Sequence, residues 1–238
     1  DESDIRPHHV RRKRRSLGLS LTDHFVRVVS MRLLVLIMTL VGLGFWTDRA
    51  PAQEVLTDQV SITSERGQLF GITSGEGIAR QFLTSGEGIL VVETKGVTGY
   101  VQTTKRLLGF SGRLQRWVDI NLSSAEEVAK WTVTPRMIVV QGREAVYGFQ
   151  SDLGRWKKES WGAGETLVRS IVEDHVGVLL TNRRALGFSA FTGGFFSKDL
   201  PSGNAIQDLE INDNVVIIHL SALTLVFRSG LAIWAELP

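Results

Sequence analysis

The tetrapeptide Leu107-Leu108-Gly109-Phe110 returns as Val146-Tyr147-Gly148-Phe149 and Ala185-Leu186-Gly187-Phe188, then without its glycine as Thr224-Leu225-Val226-Phe227. The phenylalanines at 110, 149, 188 and 227 are evenly spaced, each step being 39. Seven positions after each comes Trp117, Trp156, Phe195 or Trp234. A weaker copy, Leu69-Phe70-Gly71-Ile72, stands one step earlier, with Ile72 a single position off the spacing and Ala79 in the place of the aromatic. Five like units therefore follow one another, and a chain so built must fold into five like parts.

Each unit repeats internally as well. Ile62, Tyr100, Val139, Val178 and Ile217 lie ten positions before the marker, and Leu56, Thr94, Val133, Val172 and Ile211 sixteen before it. These positions predict four strands per unit, and four strands of about five or six residues with loops of about four need roughly 38 residues. Met137-Ile138-Val139-Val140, Val176-Gly177-Val178-Leu179-Leu180 and Val215-Val216-Ile217-Ile218 are apolar at consecutive positions, the pattern of strands covered on both faces. Arg155-Trp156-Lys157-Lys158-Glu159 and Phe195-Phe196-Ser197-Lys198-Asp199 mix aromatics with charges, which suits an outer edge guarded against pairing. Twenty-four glycines against five prolines agree with many short strands and tight turns.

In period and in its recurrent Gly and aromatic positions, the stretch 53–238 resembles β-propeller proteins at the level of architecture. It lacks the Gly-His and Trp-Asp pairs of WD40 blades, so no particular propeller family is indicated. The resemblance implies an all-β fold, a five-bladed β-propeller of 39-residue four-stranded repeats, with units at about 53–83, 84–122, 123–161, 162–200 and 201–238. Phe110, Phe149, Phe188, Phe227, Trp117, Trp156, Phe195 and Trp234 are its expected structural residues. Period alone does not show that such an array closes, and an open β-solenoid or a sandwich is the alternative.

Ahead of the repeats, positions 1–32 carry eight Lys and Arg against four Asp and Glu, whereas the rest holds 19 against 21. The basic character of the chain thus belongs to an N-terminal arm, 1–20, with the run Arg11, Arg12, Lys13, Arg14 and Arg15. The stretch from Leu33 to Trp46 is uncharged, and a helix started at Phe25 would be roughly 33 Å long, enough to cross a bilayer core of about 30 Å. Arg27 and Arg32 would then reach the cytoplasmic head groups while Trp46 sits at the opposite interface. This predicts one transmembrane helix within 21–48, with the basic run against anionic lipid and not nucleic acid. Met31-Arg32, the apolar stretch and Ala50-Pro51-Ala52 also fit a cleaved secretory signal with a mature start at Gln53. The long segment upstream of Met31 favours the uncleaved anchor.

Chemistry is sparse. No cysteine is present, and His8, His9, His24, His175 and His219 follow no shared register. No metal, cofactor or nucleophile motif is found, so no catalytic, cofactor or metal residue is assigned. Asp152, Glu173, Asp174, Asp208 and Asp213 read as solvated acids, and the duplicated Thr-Ser-Gly-Glu-Gly at 73–77 and 84–88 as hairpin turns. Trp117, Trp156 and Trp234 fit packing between blades better than a set of sugar-stacking platforms. The expected function is a non-enzymatic scaffold in the bacterial inner membrane, N-terminus cytoplasmic and propeller periplasmic. It would be an accessory or stabilising subunit of a larger membrane complex, respiratory or photosynthetic, with other membrane-protein subunits as partners. A carbohydrate- or peptide-binding propeller and an envelope assembly factor are the alternatives.

Overall fold

A computed structural model describes residues 59–75, 77–201, 203 and 205–238. The arm 1–20, the helix expected within 21–48 and the strand expected around Leu56 lie outside the described residues. Among those described, no helix is long and apolar enough to cross a membrane.

The chain is all-β. Its first sheet holds β1 (Val60–Glu65), β2 (Gln68–Thr73) and β3 (Ile78–Phe82). The second has β4 (Ile89–Lys95), β5 (Thr98–Thr103), β6 (Arg106–Ser111) and β7 (Arg116–Asn121). The third has β8 (Val128–Val133), β9 (Met137–Gly142), β10 (Ala145–Gln150) and β11 (Arg155–Ser160). The fourth has β12 (Leu167–Glu173), β13 (Val176–Thr181), β14 (Arg184–Ser189) and β15 (Gly194–Asp199). The fifth has β16 (Ile206–Asn212), β17 (Val215–Leu220), β18 (Thr224–Arg228) and β19 (Ile233–Leu237). Every strand pairs antiparallel with its neighbour in chain order, so each sheet is a meander that no other sheet interrupts. Four strands per unit thus hold for four sheets, while three are described in the first.

One device joins the sheets. Phe110, Phe149, Phe188 and Phe227 are fully buried, and each ring lies on the glycine of the preceding sheet. A Cβ built on Gly71, Gly109, Gly148 or Gly187 would stand 2.3–2.7 Å from the ring of the next unit's phenylalanine. Only hydrogen fits that gap, which is why glycine and phenylalanine recur together. On the next strand, Trp117, Trp156, Phe195 and Trp234 pack against these rings at centroid distances of 5.0, 5.1, 4.8 and 4.9 Å. The tryptophans also donate Nε1–H to carbonyls of the preceding sheet: Trp117 to Ala79 at 3.2 Å, Trp156 to Val118 at 2.9 Å and Trp234 to Phe196 at 2.9 Å. Phe195 has no donor to offer.

Around these seats the apolar clusters link first sheet to second, second to third, third to fourth and fourth to fifth. Among the described residues none links the fifth to the first, and the sheets so described do not close into a ring. Burial follows from this. Strands β9, β10 and β13 are buried at every position, being covered on both faces. In β17 only Val216, Ile218 and Leu220 are buried, while Val215 and Ile217 are half-buried, no sheet among the described residues covering their side. The expectation of double coverage for that strand is therefore corrected.

A second correction concerns the first unit. Phe110 pairs with Trp117, but Ile72 pairs with Ile78, because the turn before β3 is one residue shorter. The counterpart of the aromatic is thus Ile78 and not Ala79.

The first strand of every four-stranded sheet carries the same bulge, at Leu90, Ala129, Val168 and Gln207. A bulge there twists an edge strand away from foreign partners.

Gly148→Ala should destabilise the protein by about 1–3 kcal/mol, since the new methyl meets the immobile Phe188 ring. Gly230→Ala, where a Cβ would meet nothing within 4 Å, should change stability by less than about 0.5 kcal/mol. Urea unfolding of both variants measures the difference.

Candidate interaction surface

The connections between strands emerge at two opposite ends of the sheets, and the two ends differ in chemistry. At one end lie the inter-sheet loops and the turns between second and third strands. There Glu87 accepts hydrogen bonds from Thr103 Oγ1 at 2.7 Å, Arg106 Nε at 2.8 Å and the Thr84 amide at 2.8 Å. Its side chain is wholly buried. Glu165 occupies the same place two units later, bonded by Arg184 Nε at 2.8 Å and the Gly162 amide at 2.6 Å. Between them Glu126 accepts from the Tyr147 hydroxyl at 2.7 Å and the Glu144 amide at 2.9 Å, the arginine position being Ala145. The segment 84–88 accordingly forms no hairpin; it carries the chain from one sheet to the next.

Burial alone would raise the Glu87 carboxyl, but the bonds from Arg106, Thr84 and Thr103 outweigh it and hold it at about 2. Glu165 likewise is raised by burial but lowered more by Arg184, Gly162 and Thr181, to about 2. These acids latch neighbouring loops and are not poised for proton transfer.

At the other end are the turns between third and fourth strands. Their tips present Leu114, Leu153, Phe191 and Leu231, which are 42–64% exposed. Single exposed leucines are ordinary on any surface. Four on successive turns at one end form a series, since Leu114, Leu153 and Leu231 share one register and Phe191 is displaced by a single position. The turns are braced across the sheets: Arg116 Nη2 donates to the carbonyls of Leu153 and Gly154 at 3.1 Å, and Arg155 donates to that of Thr192. Gln150 Nε2 donates to Ala190 O at 2.6 Å and Ser189 Oγ to Ser229 O at 2.8 Å. His175 stacks on Phe191 at 5.2 Å, its pKa lowered by burial and by Arg136. Asp152 lies between Arg113 at 3.1 Å and Arg136 at 3.4 Å, and a cleft of about 230 Å³ opens beside Arg113 and Gln115. The apolar tips are therefore presented on fixed turns within a rim of arginines.

The expected structural residues Phe110, Phe149, Phe188, Phe227, Trp117, Trp156, Phe195 and Trp234 sit inside the junctions. The indole donors are already used there. His219 lies in β17, 3.4 Å from Glu210. Among the described residues no three His, Asp or Glu side chains gather to hold a metal. Arg11, Arg12, Lys13, Arg14, Arg15, Arg27, Arg32 and Trp46 lie outside the described residues. Sequence reasoning missed Glu87, Glu126 and Glu165 and the turn-tip series, although both keep the spacing of the repeat and were open to the same self-comparison.

No family model matches the chain, and no curated protein matches it. Among solved structures, a fragment of HIRA, residues 644–1017, is 10% identical with a TM-score of 0.36, covering 76% of this chain and 53% of that one. Hsv2 of Kluyveromyces lactis is 11% identical at 0.35, covering 75% and 59%. The WD40 domain of SCAP from fission yeast is 8% identical at 0.34, covering 76% and 56%. The chain spans little more than half the length of these proteins. Its own sheets, stacked face to face in chain order at the constant period of the Gly-Phe markers, make it a repeat protein of the β-propeller type.

Acid should weaken the latched end. The carboxyls of Glu87 and Glu165 fall from 4.5 to about 2 on folding, so their contribution is complete above about pH 4.5 and is lost as pH drops toward 2. Glu87→Gln should flatten that loss in urea midpoints taken from pH 7 to 2.5. Glu87→Ala should cost about 1–3 kcal/mol at pH 7, since Arg106 loses Glu87 but keeps Asp119 and the Phe82 carbonyl.

Proposed function

We propose that this protein is a non-enzymatic scaffold that binds a protein partner through the turn-tip series Leu114, Leu153, Phe191 and Leu231. The observation that carries the reading is the recurrence of an exposed apolar side chain at the tip of a braced turn in four successive sheets. Of the turns between second and third strands at the opposite end, four are polar, Arg66-Gly67, Thr104-Lys105, Arg143-Glu144 and Asn182-Arg183, and the fifth is Ser221-Ala222-Leu223. Protein-binding surfaces combine apolar anchors with arginine at the rim, and propellers bind through the turns at one end. Fixed turns lose little entropy on docking, which favours recognition without rearrangement.

The setting of that partner comes from the sequence. A helix within 21–48, flanked by Arg27 and Arg32 and ended by Trp46, would anchor the chain in a bacterial inner membrane with the repeats on the periplasmic side. The protein is then an accessory or stabilising subunit held against the outer face of a larger membrane assembly.

Extraction of the native membrane in mild detergent, followed by native electrophoresis, tests this. The wild-type chain should migrate with a larger complex. The double variant Leu114→Asp/Leu153→Asp should migrate as the free protein, while its unfolding midpoint stays within about 0.5 kcal/mol of wild type. A wild-type chain recovered free, or a variant that stays in the complex, would refute the reading.

A further inference from the structure

Among the described residues the first and fifth sheets each have a face that no other sheet covers, and the two faces are the separated halves of the junction made four times inside the chain. A repeat array that ends at solvent replaces apolar side chains on its end faces by polar ones. Here each face keeps an apolar patch among polar side chains: Ser61, Thr63, Glu65, Gln68 and Arg80 share the outward face of the first sheet, and Glu210, His219, Thr224 and Arg228 that of the fifth. The first sheet turns Phe70, Ile72, Ile78 and Phe82 outward, Ile78 and Phe82 being 63% and 66% exposed. The fifth turns Val215, Ile217, Val226, Ile233 and Leu237 to that side, Ile233 and Leu237 being 47% and 49% exposed and Val226, between its neighbours on the sheet, 7%.

The departures from the repeat are matched. Val226 stands where the other units have their glycine, and Ile72 where they have their phenylalanine. A phenylalanine could not lie on Val226, because even a lone Cβ at the equivalent Gly187 would come within 2.6 Å of the Phe227 ring. A shorter side chain could, and the first sheet offers Ile72. Ile78 replaces the Trp117 type of residue on the adjoining strand. By register, Ala235 of the fifth sheet is the counterpart of Phe196, whose carbonyl receives Trp234. Thus large-on-small pairs inside the chain become medium-on-medium at its ends.

We infer that the outward face of the fifth sheet receives the outward face of the first sheet of a second copy, head to tail, with Ile72 on Val226 and Ile78 over Ala235. The occupant is a second copy because the complement to the Val226 face among the described residues is the Ile72 face, and within one chain no apolar cluster joins them among those residues. Such a contact is heterologous, and it yields a ring of copies where the rotation closes and a filament where it does not. It is independent of what docks on the turn tips.

The chain has no cysteine of its own, so single cysteines report the contact in the full-length protein in detergent. Facing sheets stand about 10 Å apart, too far for a disulfide, and a bis-maleimide reaching about 10 Å is the suitable probe. Tagged Ile78→Cys mixed with untagged Ala235→Cys should give a cross-linked dimer, and either variant alone about tenfold less or none. Adding Ile72→Phe to the tagged copy should lower the yield about tenfold, and Val226→Gly in the other copy should restore it. A double variant Ile78→Cys/Ala235→Cys that links only within itself would overturn the inference in favour of a ring closed in one chain. The absence of any cross-link, or a yield indifferent to Ile72→Phe, would overturn it outright.

Discussion

The contact on which the fold depends is a phenylalanine ring lying directly on a glycine of the neighbouring sheet. It sets the spacing of two sheets at the centre of their strands, where both partners are wholly buried. A third residue, tryptophan in three units, closes the seat from the outer side and ties itself to the adjacent backbone by its indole N–H. Because glycine contributes no side chain, the ring supplies the whole apolar contact at that point. No other substitution at the glycine leaves the sheets at the same distance. Strand pairing builds each sheet from local hairpins, but the seats turn five sheets into one body.

Energetically the result is a chain of nearest-neighbour couplings. A sheet whose two middle strands are apolar on both faces is unstable alone and gains its stability only when stacked. The three inner sheets have that benefit on both sides, and the end sheets, among the described residues, on one. The latches of Glu87 and Glu165 act at the same joints but from the loop end, holding each incoming first strand against its own sheet. Core and latch differ in what disturbs them: volume changes act on the first, acid on the second.

Much of this was legible in the residues. The recurrence of Gly-Phe and of the following aromatic gave the number of units, and consecutive apolar positions gave the doubly covered strands Met137–Gly142 and Val176–Thr181. What sequence could not reveal was which glycine met which ring, since the contact joins positions a whole repeat apart. Nor did it show that Val215 and Ile217 face no sheet among the described residues, because an apolar run reads alike whether or not a sheet covers it. The first unit misled by one position, as a shortened turn shifted Ile78 out of register with Trp117. The buried glutamates escaped notice for a different reason. Thr84-Ser85-Gly86-Glu87 has the composition of a solvated turn, and only tertiary structure brings Arg106 to it. The turn-tip leucines were hidden because an exposed leucine has no local signature.

Seats that are alike have a further consequence. A chain whose parts meet through interchangeable joints can gain or lose one part by duplication or deletion within its gene, and every surviving contact is still made by the same residue types. What is inherited under constraint is the step from one sheet to the next. The number of steps is free to drift, and with it the curvature swept by the array and the spread of side chains it holds out to others.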